Sequence, residues 1–299
     1  MILATALLVT AFAAAQGGPA ALAAAGAEMR RGEFAKASET LSGAVAADPA
    51  SAPAVYQMLS ESWLAQKQPE RAADALERGL QAHPRDPELS KALGQLLFRH
   101  SASSMRAGEL LAGAASALPR DPEAHHYYAQ WAFLNSKAEI ALEEEKRVLA
   151  MPGLNDTALL QVHTLIAMAQ ANLNRNAEAD AGFRKALAVN RARKMFDPAS
   201  AFQYVTFLKQ QGREEEAVAI VDELLRKSPS YGPAHLERAK QLNGEEKLAE
   251  AAAEAELSLK LEGSDPAQIR AAHVLLAMMY FSLGRNEEAE AHKKWVEAH

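Results

Sequence analysis

Pro84-Arg85-Asp86-Pro87-Glu88-Leu89 returns as Pro119-Arg120-Asp121-Pro122-Glu123-Ala124, a shift of 35 residues. Gly212-Arg213-Glu214-Glu215-Glu216-Ala217 returns as Gly284-Arg285-Asn286-Glu287-Glu288-Ala289, a shift of 72, or two periods of about 36. Self-similarity at such a period marks an array of supersecondary units. An alanine ladder joins them: Ala37, Ala72, Ala107, Ala141, Ala179, Ala217, Ala251 and Ala289, at intervals of 35, 35, 34, 38, 38, 34 and 38. Four residues after the alanines stand Leu41, Leu76, Leu111, Phe183, Val221 and Ala255, with Glu145 and Lys293 in the two remaining places. Three further on come Ala44, Gly79, Ala114, Val148, Ala186, Leu224, Ser258 and Val296. Steps of four and three place all of these on one helix face, where small residues let a neighbouring helix approach.

A second amphipathic helix precedes each ladder helix, marked by Leu59, Ser60 and Trp63 in the second unit and by Leu276, Ala277 and Tyr280 in the last. Arg31-Gly32, Gln211-Gly212 and Leu283-Gly284 break the chain between the two helices, and Pro49, Pro84, Pro119, Pro152 and Pro229 close units. Asp86-Pro87, Asp121-Pro122, Asp197-Pro198 and Asp265-Pro266 open helices, with aspartate as N-cap and proline at the first helical position. Composition agrees: 66 of the 299 residues are alanine, the strongest helix former, and a sheet protein is disfavoured.

Helix–turn–helix units of about 34 residues, with large-small-x-x-aromatic in the first helix and A-x3-F/L-x2-A in the second, resemble tetratricopeptide repeats of the bacterial exported type. The resemblance spans residues 20–299 as a single solenoid of about eight units. It implies an all-α tetratricopeptide-like helical-repeat solenoid, a right-handed superhelix of antiparallel helix pairs with a concave groove lined by the first helices. The third unit slips by one residue around Leu93-Gly94, and the seventh has Arg238 at an expected core position. The intervals of 38 add about one helical turn, and the segments 151–155 and 190–196 read as two of the insertions.

The 32 Lys and Arg against 38 Asp and Glu give a net charge of -6, so the basic excess that displaces counterions from nucleic acid is missing. The absence of cysteine removes disulfides, thiolate metal sites and a lipid-bearing N-terminal cysteine. Ile2 to Ala15 is a run of 14 apolar or small residues, short of the ~20 that span a bilayer. It reads as the apolar core of a signal peptide, cleaved after Ala13-Ala14-Ala15, with Ala23-Ala24-Ala25 as a second candidate, although no Lys or Arg precedes it. The expectation is a periplasmic or secreted protein, without stable membrane insertion after cleavage; the alternatives are a retained N-terminal anchor and an ordinary first helix of the fold.

Chemistry-bearing constellations are few. The nine histidines form no H-E-x-x-H, and the adjacent His125 and His126 point about 100° apart on a helix, so no metal or other cofactor is expected. Glu143-Glu144-Glu145 and Glu214-Glu215-Glu216 read as solvated helix faces. No nucleophile elbow, P-loop or dinucleotide fingerprint occurs. Arg191, Arg193 and Lys194 form one basic cluster, read as a solvated loop after a helix end, with an acidic partner as the alternative. Tyr127, Tyr128, Trp131 and Phe133 form the densest aromatic segment, with Tyr128 at a core position and Phe133 nearer the inner face.

The resemblance implies a non-catalytic scaffold or adaptor of the bacterial cell envelope that binds a protein or peptide, not nucleic acid. The alternatives are an envelope hydrolase, for which the ladder leaves no second domain, and a structural part of polysaccharide or outer-membrane assembly. Family analogy places the binding residues on the first helices, off the packing register. They are Lys91, Gln95, Phe98 and Arg99; His126, Gln130 and Phe133; Thr164, Met168 and Asn172; and Phe202, Thr206 and Lys209. The family's clamp for chaperone tails requires lysine and asparagine where the second unit has Gln57 and Glu61, so tail binding of that kind is not expected.

Overall fold

The computed structural model describes residues 18–299, and the regular elements among these residues are sixteen α-helices. The apolar run and the Ala13–Ala15 cleavage site lie outside the described residues. The chain divides after Pro152 into two compact units. In the N-terminal unit α1 (Gly18–Arg30) pairs with α2 (Phe34–Ala47), α3 (Pro53–Ala65) with α4 (Pro69–Ala82), α5 (Pro87–His100) with α6 (Met105–Ala117), and α7 (Pro122–Leu134) with α8 (Ala138–Leu149). In the C-terminal unit the pairs are α9 (Asp156–Asn172) with α10 (Asn176–Ala192), α11 (Pro198–Gln210) with α12 (Glu214–Lys227), α13 (Gly232–Gly244) with α14 (Leu248–Lys260), and α15 (Pro266–Ser282) with α16 (Asn286–Ala298). Ala23–Ala25 lie inside α1, where Ala21 and Ala25 are buried, so cleavage there would remove packed residues.

The Asp-Pro openings act as caps. Asp86 Oδ1 accepts from the Leu89 amide at 2.8 Å and Asp121 Oδ1 from the Glu123 amide at 2.8 Å. Asp197 caps α11 in the same way, and Asp265 forms a reciprocal capping box with Gln268. Seven pairs turn through three residues whose middle member is left-handed: Gly32, Lys67, Ser136, Asn174, Gly212, Glu246 and Gly284, with φ between 58° and 76°. In each, the next amide reaches back five residues, as Gln68 N does to Trp63 O at 3.0 Å, which is Schellman closure of the first helix. The pair α5–α6 turns through residues 101–104, one residue longer and without a left-handed member, and this accounts for the slip near Leu93-Gly94.

The added residues of the 38-residue intervals lie in helices rather than in loops. α9, α10 and α15 have 17 residues each against 12–14 in the others, one extra turn that keeps the helix phase. Asn190 to Ala192, expected in an inserted loop, belong to the last turn of α10.

All eight ladder alanines are buried. In the N-terminal unit, small residues admit large ones: a Cβ on Gly79 would stand 2.9 Å from the Tyr56 side chain, and one on Gly108 would stand 2.2 Å from the Trp131 indole. Trp131, not Tyr128, takes the buried place, with Nε1 donating to Ser104 O at 2.9 Å; Tyr128 is half-buried and stacks on it at 6.1 Å. In the C-terminal unit Phe183 stacks on Tyr204 at 5.3 Å and meets Phe207 at 5.2 Å. The Tyr204 hydroxyl donates to Asp180 at 2.7 Å, and Arg213 and Arg184 donate to the same carboxylate at 2.6 and 2.9 Å. Arg238, at a position expected in the core, is half-buried and donates to Asp222 and Gln241.

Candidate functional site

In the N-terminal unit the first helices α5 and α7 carry the candidate residues. Lys91 Nζ lies 2.7 Å from Glu88 and 2.6 Å from Asp121, the carboxylate that caps α7. Burial alone would lower the Lys91 ammonium, but its bonds to Asp121 and Glu88 outweigh this and raise it. The cation is therefore fixed inside the unit rather than free in a groove. Gln95 lines the same face and its Nε2 is buried without a hydrogen-bond partner. Arg99 is exposed, donates to the Tyr127 hydroxyl at 2.6 Å and lies 5.6 Å from the centre of that ring; Phe98 meets Tyr127 edge-on at 6.4 Å.

On α7, His126 Nδ1 is 2.5 Å from Glu145 Oε1, and the Gln130 amide nitrogen is 2.8 Å from His126 Nε2. With the Gln130 amide donating to Nε2, the tautomer that satisfies both contacts carries its proton on Nδ1, facing Glu145. His125 Nδ1 meets Glu144 at 2.5 Å in parallel. Glu145 is fully buried and Glu144 nearly so, which corrects the reading of these two as part of a solvated face; Glu143 is exposed. Burial pushes the Glu145 carboxyl up, further than His126 draws it down. Phe133 is half-buried.

In the C-terminal unit the candidates disperse. Thr164 is buried, its hydroxyl donating to Leu160 O at 2.7 Å, and Phe202 is buried edge-on to Tyr231 at 5.8 Å. Neither presents a surface to a ligand: Phe202 packs on Tyr231 within the Phe183 cluster, and the buried Thr164 hydroxyl is turned back onto its own helix. Met168 is half-buried against the Phe183 cluster. Asn172 and Thr206 are exposed, and the Thr206 hydroxyl donates to Phe202 O at 3.2 Å. Lys209 pairs with Glu237, which also holds Lys240 at 2.6 Å. Arg191 of the basic cluster is likewise engaged, gripping the buried Glu223 through Nε at 3.0 Å. Among the described residues no three His, Asp or Glu side chains converge to hold a metal ion, and no helix is long and apolar enough to cross a membrane.

No family model and no curated protein matches the sequence. Solved structures do match the fold. A tetratricopeptide repeat protein from Parabacteroides merdae aligns at a TM-score of 0.67 and 12% identity, over 87% of this chain and 99% of that one. The chain has the tetratricopeptide-repeat fold. PilW, a widely conserved type IV pilus biogenesis factor, aligns at 0.57 and 15% identity over 71% of this chain and 94% of its own. YrrB, a tetratricopeptide protein with an unusual peptide-binding site, aligns at 0.51 and 17% identity over 60% and 89%.

The tetratricopeptide pair fixes which residues meet across its two helices. His125–Glu144, His126–Glu145, His235–Glu254 and His273–His292 are all contacts at a separation of 19 residues. That offset was available in the sequence, and applied to the histidines it finds all four pairs. Sequence reasoning also left Gln57 and Glu61 out of the candidate set, although both line the same cleft as Lys91, Gln95 and Arg99.

Proposed function

We propose that the chain is a non-catalytic scaffold of the cell envelope that holds an extended protein segment along first-helix surfaces. The observation that carries this reading is the cleft of about 420 Å³ on the N-terminal unit, where α3 and α5 place amide and charged side chains over the apolar Leu64, Ala92 and Leu96. Alternating polar and apolar contacts suit a peptide held through its backbone with side chains in pockets. The peptide-binding site of YrrB and the pilus-assembly role of PilW support the ligand class and an assembly setting, and the Ile2–Ala15 run supports export.

The test starts with cross-linking and mass spectrometry of the full chain in its native envelope, which supplies a bound segment. Gln57→Ala and Gln130→Ala each weaken binding of that segment severalfold, while Glu215→Lys, on an exposed second-helix position, leaves it unchanged. Loss of binding in Glu215→Lys alone would place the interface on the second helices. Edman sequencing that reads Met1 or Ile2 on natively expressed chain recovered from the cytosol would remove the envelope setting.

A further inference from the structure

We propose that the cleft between α3 and α5 receives a lysine or arginine side chain of an extended peptide, with Glu61 as its counter-ion. This rests on the reading of first-helix surfaces as peptide-binding, and it names what the N-terminal surface selects. The cleft is lined by three carboxylates, Glu61, Glu88 and Glu123, against two cations, Lys91 and Arg99. Both cations are engaged, Lys91 by carboxylates and Arg99 by a neutral hydroxyl that leaves its charge in place. Lys91 is shared between Glu88 and Asp121, so a fourth carboxylate stands behind it, and Arg99 is turned to Tyr127. No ion pair among the described residues reaches Glu61 or Glu123. Counting Asp121, four carboxylates stand against two cations, so the field in the cleft is net negative, which repels an acidic segment and gathers a cation.

Glu61 is the acceptor best placed to use that field. It remains accessible to solvent, while the cleft walls remove part of its hydration and push its carboxyl up, with no cation near enough to offset the effect. A carboxylate so placed is stabilised by an arriving ammonium or guanidinium. Leu64, Ala92 and Leu96 give the methylene stem of lysine or arginine an apolar bed, as such stems require when the head is polar. The unpaired Gln95 Nε2 adds a donor for a peptide carbonyl, reached by rotation of its terminal amide.

The experiment screens the full chain against a phage-displayed library of random decapeptides, followed by binding of the most enriched synthetic peptide. Wild type enriches lysine or arginine at one position. Glu61→Gln abolishes that enrichment and weakens the selected peptide by about tenfold or more, with an unchanged melting temperature, since among the described residues no hydrogen bond or ion pair of the fold involves the Glu61 side chain. Glu61→Lys exchanges the preference for aspartate or glutamate. Binding to wild type also falls on acidification as Glu61 takes up a proton. Selected peptides that need Gln57 or Gln95 yet show no basic position overturn the inference and leave the peptide-binding surface standing. Peptides insensitive to all three positions, or no enrichment at all, overturn both.

Discussion

Glu145 in the N-terminal unit and Phe183 in the C-terminal unit occupy the same place, four residues after a ladder alanine, and satisfy it with opposite chemistry. Both are buried. Phe183 is covered by Tyr204 and Phe207, whereas Glu145 is met by His126. Seven of the eight pairs enclose this position without requiring it to be apolar, while Lys293 of the terminal α16 is exposed there. Glu145 is accommodated with a partner from the facing helix for Oε1 and none for its buried Oε2, in keeping with a carboxyl pushed up by burial.

The aromatic solution is the harder to lose. Phe183→Ala removes the centre of a three-ring cluster and should cost about 3–5 kcal/mol in urea unfolding. A loss below about 1 kcal/mol would mean that the neighbouring rings collapse into the space and that the position is not a keystone.

The polar solution should behave as a unit. His126→Ala leaves Glu145 Oε1 without its partner and should cost about 1–3 kcal/mol, since the carboxyl can take a proton and avoid full charge burial. His126→Leu combined with Glu145→Leu should recover most of that loss, because two apolar side chains of similar bulk replace a pair whose burial was itself expensive. A double variant as weak as the sum of its single changes would show that His126 and Glu145 are held independently.

The smallest effect separates the units by pH. Glu145 titrates higher in the folded chain than unfolded, so its contribution is present in full below the unfolded value and is lost as pH rises through the folded one. Asp180 is opposite: burial would raise it, but the bonds from Tyr204, Arg213 and Arg184 hold it below the ordinary carboxylate range. Its contribution is present above the unfolded value and is lost as pH falls through the folded one. Glu145→Gln should remove a decline in stability with rising pH, and Asp180→Asn a decline with falling pH. Melting temperatures across pH 3–8 that shift in the same sense for both variants would refute the contrast.

The fold was legible because alanine at Ala72 or Ala217 is demanded by close helix approach, and close approach recurs with the unit. The lengths of α9, α10 and α15 were not legible, since an extra turn and an extra loop change the interval equally. Glu145 was visible as a misfit, but its resolution lies on another helix, at His126. Thr164 and Phe202 were placed on an open surface by a register that fixes the angle around a helix and not what packs against its flank. The engagement of Lys91 and Lys209 was hidden for a related reason: Asp121 and Glu237 come from the next pair, 30 and 28 residues on.

The left-handed residue that closes seven of the eight turns has a consequence for inheritance. Each of these seven pairs carries its own closure in local backbone hydrogen bonds and needs no instruction from elsewhere in the chain. A stretch copied from Lys67 to just before another such residue begins and ends in the same conformation, so the splice meets matching backbone at both joins. Duplication or deletion in whole pairs is thereby mechanically simple, and the longer turn at residues 101–104 is the one place where such a splice would not match.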